Sequence, residues 1–129
     1  MMNSEEANKL LDEAIEDGKE YLPRLKEGLS KIAALLQEGR EGEGINLFIE
    51  SIEGLEWFGT VLEGMVCFRG ALINESGEDN ISVRYRRILG DLLAAWENRD
   101  IVLIGDLLEF EIVPIIEEFQ EKTDQEKKH

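Results

Sequence analysis

Residues 44–68 read GINLFIESIEGLEWFGTVLEGMVCF, and their spacing decides the fold. Ile45, Phe48, Ile52, Leu55, Gly59, Leu62 and Val66 recur by threes and fours, which sets them on one face of an α-helix. Phe58, Met65 and Leu72 widen that face. A second stripe, Leu47, Gly54, Trp57, Val61, Gly64, Phe68 and Ala71, keeps the same spacing. Together the stripes cover roughly 220° of the helix, against the roughly 100° expected of a surface helix. Glu53, Glu56, Thr60 and Glu63 leave only a narrow polar edge.

Working outward, the helix is expected over about 44–74, bounded by the glycine-rich turn GREGEG at 39–44 and the polar loop NESGEDN at 74–80. Upstream, Ser4 with Glu5 and Glu6 forms a helix start. The seam Leu11, Ile15, Gly18, Leu22, Leu25, Leu29, Ile32, Leu36 then passes Pro23 without losing phase. A proline there removes the hydrogen bond to Lys19, so this helix is expected to kink or split near Pro23.

Downstream, Asn80 caps a third helix to about Asn98, with Ile81, Tyr85, Ile88, Leu92 and Ala95 or Trp96 on one face. Asp100 caps a fourth, with Ile101, Ile104, Leu108, Ile112, Ile115 and Phe119 in register and Pro114 as a kink. Strand-like alternation is nowhere sustained. Short connections make successive helices antiparallel neighbours. The expected fold is therefore all-α: an antiparallel up-down-up-down four-helix bundle forming one domain over 1–129, ordered over about 4–121, with a frayed tail at 122–129.

At 1.5 Å per residue the first two helices reach on the order of 45–50 Å and the last two on the order of 27–33 Å. The long hairpin therefore overhangs the short one. Either the first helix folds back over the excess, or another subunit covers it. Of the two, the second stripe is read as a homodimer or partner seam: Leu47, Gly54, Trp57, Val61, Gly64 and Phe68, with the glycines allowing close approach.

Twenty-nine acidic against 14 basic residues leave a net charge of −15. That excludes the clustered cations needed to hold DNA or RNA and disfavours anionic membranes. Cys67 stands alone, so no intrachain disulfide or CxxC motif is possible. No membrane-length apolar run and no signal peptide are expected, since Met1–Asn8 carries acids where a basic region would stand. The simplest setting is a reducing cytoplasm. Cys67 itself, beside the seam, is expected to be a buried thiol.

Candidate chemistry is sparse. Glu50, Glu53 and Glu56 form a carboxylate row able to meet a divalent metal, but di-iron bundles also need inward Glu-x-x-His pairs, and the one histidine is His129. Residues 79–100 are neutral, with Arg84, Arg86 and Arg87 together, beside an acidic stretch at 41–78 that carries eight acids and one base. Ion pairing with acidic neighbours is the expected use; a small-anion site at Arg84 and Arg87 is the alternative. Glu111 is expected at an edge. No cofactor is expected.

YLPRLKEGL, IEGLEWFGTVLEG and NRDIVLIGDLLEFEIVPIIEEF resemble small, acidic, uncharacterised helical proteins of Gram-positive-type bacteria, grouped as a domain of unknown function. The resemblance covers most of residues 10–121. It implies packing motifs and no activity. By size and helix count the chain is also similar to flagellar export chaperones, bundles that hold a secretion partner. EEFQE at 117–121 looks like half of the metal motif of all-helical nucleotide pyrophosphohydrolases, with no room for the other half.

The sequence thus points to a non-catalytic protein-interaction or chaperone-like bundle that self-associates, with a divalent-metal-dependent hydrolase on the Glu50, Glu53, Glu56 row as the alternative. The two separate on heating. Millimolar magnesium or manganese raises the melting temperature if a carboxylate site holds the metal in the folded state alone; an interaction module melts unchanged.

Overall fold

The computed structural model describes residues 3–68 and 80–127. The expected end of the second helix, Ala71, Leu72 and loop residues 74–79 lie outside that description. The rest is helical, with no strand among the described residues.

The first helix, α1, runs Ser4–Gln37. Its cap is Asn3, one residue before the expected Ser4: the Asn3 side chain accepts the Glu6 N–H at 2.8 Å, satisfying a donor that the first turn otherwise leaves open. The helix is not split at Pro23. Pro23 is exposed, so the hydrogen bond it cannot donate is missing on the solvent side while the buried seam continues.

α1 ends in a Schellman motif. Gly39 takes a positive φ of 83°, and the Arg40 and Gly39 N–H groups return to the carbonyls of Leu35 (2.9 Å) and Leu36 (3.3 Å). This one glycine makes the turn. Gly42 and Gly44 are therefore already helical, and α2, Glu41–Phe68, begins three residues earlier than expected.

α3, Ile81–Glu97, is capped by Asn80, which accepts the Val83 N–H at 2.9 Å. It closes with the same motif as α1, but with Arg99 in the left-handed position at φ 54°. Asp100 then caps α4, accepting the Leu103 N–H at 3.1 Å.

α4 opens as Ile101–Leu107, widens into a π-helical turn over Leu108–Ile112, and resumes as Val113–Lys127. In the wide turn the Val113 N–H bonds the carbonyl of Leu108, five residues back, just before Pro114, which has no N–H to offer. The helix also outlasts the expected boundary at 121. Thr123 is buried, and its hydroxyl donates within reach of the Phe119 and Gln120 carbonyls at 3.0 and 3.1 Å. This last part of α4 lies along Ile15, Gly18 and Leu22 of α1, so the fourth helix covers part of the expected overhang.

The helices follow one another round a square. α1 packs on α2, α2 on α3, α3 on α4, and α4 returns to α1. Opposite runs of numbering along the α2–α3 contact, Phe48 with Trp96 and Glu63 with Arg86, show those helices antiparallel. The seams meet in a core of Leu29, Ile32, Leu62, Ile104 and Ile116, each at most 1% exposed. At its centre the Phe58 ring meets Tyr85 and Phe119 edge-on, with centroids 5.1 and 5.4 Å apart. The Tyr85 hydroxyl donates to the Leu55 carbonyl at 2.8 Å, and a Cβ on Gly59 would stand 3.3 Å from its ring.

Glycine sets the α1–α2 spacing. A Cβ on Gly44 would stand 2.7 Å from Leu36 Cδ2, and one on Gly64 3.2 Å from Leu11. One on Gly54 would overlap the Tyr21 hydroxyl, and one on Gly18 would stand 3.1 Å from the Trp57 ring. By contrast, nothing lies within 4 Å of a Cβ on Gly28.

Two outcomes follow in urea unfolding. Gly44→Ala lowers stability by about 1–2 kcal/mol, overpacking exceeding the gain in helix propensity, whereas Gly28→Ala raises it by up to about 1 kcal/mol. Burial pushes the Tyr85 phenol well above its ordinary value, so folding favours its neutral form. That contribution is complete below the unfolded-state phenol pKa near ~10 and is lost as pH rises beyond it. Tyr85→Phe costs about 1 kcal/mol at neutral pH and flattens the alkaline decline.

Candidate functional site

The apolar face of α2 has a buried centre and two edges. Phe48, Leu55, Phe58, Val61, Leu62 and Met65 form the centre, each no more than 5% exposed. This centre straddles the two stripes read from the sequence, taking Phe48, Leu55 and Leu62 from the first and Val61 from the second, so each stripe keeps one edge off the core.

The edge formed by the second stripe faces α1 of the same chain. The Trp57 ring packs edge-on against Tyr21 at 5.4 Å and rests over Gly18. Gly54 is buried beneath Tyr21, Gly64 faces Leu11, Val61 is buried and Leu47 is half-buried against the core. Of the six residues read as an intermolecular seam, only Phe68 is exposed, at 46%. The surplus apolar width of α2 is thus largely covered by α1. Cys67, expected to be buried, is exposed.

The edge of the first stripe is the open one. Ile52 is 38% exposed although it belongs to the expected core seam. With Phe48, Leu55 and Glu56 it forms one wall of a groove of about 330 Å³; Leu89, Leu92, Leu93 and Trp96 of α3 form the other. Trp96 lies over Phe48 with ring centroids 5.5 Å apart, while Ala95 takes the core position. Ile49, one turn before Ile52, extends the exposed apolar surface.

A sequence signal for this groove existed. Ile45, Ile49, Ile52 and Leu89, Leu93, Trp96 are two apolar rows, each at i, i+4, i+7; Ile45 and Ile52 belong to the first stripe and Trp96 shares the α3 seam with Ala95, while Ile49, Leu89 and Leu93 lie beside them. Full burial of such side chains stabilises by about 1.5–3 kcal/mol each, so covering the half-exposed Ile52, Leu93 and Trp96 is worth roughly 1 kcal/mol apiece.

Charged candidates resolve into pairs. Arg84 meets Glu118 of α4 at 2.9 Å, and Arg86 meets Glu63 of α2 at 3.1 Å. Arg84 and Arg87 do share one cleft, between α3 and α4, but Asp91, Glu111 and Glu118 line it too. Three carboxylates against two guanidiniums make it a poor anion receptor. The Glu50, Glu53, Glu56 row diverges: Glu53 stands beside Asp17 and Tyr21, while Glu56 edges the α2–α3 groove. Among the described residues no three His, Cys, Asp or Glu side chains converge as a metal site would require, and none of the described helices is long and apolar enough to cross a membrane.

Fold and site together define an all-α bundle that, among the described residues, carries an open apolar groove between α2 and α3. The chain belongs to the family described as Domain of unknown function (DUF8042), which matches residues 4–122. No curated protein and no solved structure matches it.

Proposed function

We propose that this protein is a non-catalytic interaction module whose α2–α3 groove receives an apolar segment of a partner protein. The observation that carries this is the exposure of Ile49, Ile52, Leu93 and Trp96 on one contiguous face, at 38–58%. A contiguous exposed apolar patch marks an interaction surface, and a tryptophan within it is a favoured anchor. A second copy of the chain is the less favoured occupant, because each copy carries −15 and like charges repel across an interface. A reducing cytoplasm suits the lone, exposed Cys67.

The test compares matched surface variants. Leu93→Gln and Ile52→Gln keep helix-forming residues at exposed positions, so both melt within a few degrees of the parent. Both lose the partner captured by the parent, while Val102→Gln, at the 72% exposed Val102, retains it. Equal capture by all four proteins would contradict the groove as the docking surface.

A further inference from the structure

We infer that the segment received by the groove is a short, basic, amphipathic helix; this rests on the groove being the docking surface proposed above. Both walls are helices, whose mid-helix N–H and C=O groups are already paired along their own axes. The groove therefore has no strand edge to extend, and a ligand must be recognised by side chains alone. The apolar rows Ile45, Ile49, Ile52 and Leu89, Leu93, Trp96 each span two helical turns, which is the reach of anchors at i, i+3 or i+4, and i+7 on a docked helix.

Charge selects among such helices. α2 carries six glutamates and no lysine or arginine over Glu41–Phe68, and Glu56 is in the groove lining itself. On α3, Asp91 faces the α4 cleft with Arg84 and Arg87, which leaves Glu97 as the charge next to Trp96. Arg86, at the upper end, is engaged by Glu63. A helix lying here meets the Glu56 carboxylate in the groove wall, and a chain of net charge −15 draws a cation to it from a distance.

The experiment titrates the full chain with two labelled helical peptides that share leucines at i, i+3, i+4 and i+7, flanked by lysines in one and glutamates in the other. At low salt the lysine peptide binds more tightly by about tenfold or more, and the gap closes as salt screens it. Leu93→Gln weakens the lysine peptide by about tenfold, the loss of an apolar anchor. Glu56→Lys narrows the preference between the peptides. Equal affinity for the two peptides would overturn the basic partner and leave the docking groove standing. Lysine-peptide binding that ignores Leu93→Gln would also overturn it, since the peptide would then be adhering to the acidic surface at large. If neither peptide binds, the groove itself fails as a docking site.

Discussion

The close approach of α1 and α2 is the constraint on which the other contacts depend. It is made at four glycines, each receiving a side chain from the facing helix: Leu36 at Gly44, Tyr21 at Gly54, Trp57 at Gly18 and Leu11 at Gly64. Side chains seated in such notches fix how far the helices slide and rotate against each other, because interiors pack without room to adjust. Once α1 holds the Trp57 side of α2, the centre of its apolar face points at the core. Tyr85 then reaches Gly59 and the Leu55 carbonyl. The Ile52 side is left over, and α3 covers it incompletely.

α4 meets the hairpin through a different device. Ile104, Leu108, Ile112 and Ile116 are spaced by four, and all are 0% exposed. In a regular helix a spacing of four drifts by roughly 40° at each step, so the last of these would turn away from the core. The π-helical turn over Leu108–Ile112 takes up an extra residue and returns the row to the core. It sits directly before Pro114, where the regular ladder lacks a donor in any case. One wide turn therefore serves both the register and the proline.

Much of this was legible in the sequence. The seams, the caps at Asn80 and Asp100 and the antiparallel order follow from spacing and turn chemistry. Arg86 bonds Glu63 of the acidic stretch that charge distribution set beside it, whereas Arg84 bonds Glu118 of α4, outside that stretch. What spacing could not convey is coverage. A helical wheel measures the width of the apolar face of α2, but whether Trp57 meets solvent depends on Tyr21 and Gly18, one helix away. The misplacement of Ile52 has the same origin, since the wheel placed the core on one stripe and the structure places it across two. The π-helical turn and the burial of Thr123 left no composition signal, because each arises from tertiary fit along α4.

The central claim is that the glycine-lined seam of α2 is satisfied inside one chain. It is tested most directly by the urea midpoint of the free protein over about a hundredfold range of concentration, since a seam completed by a second chain gains stability with concentration by mass action. The account predicts a midpoint that stays constant. A midpoint that climbs with concentration would contradict it.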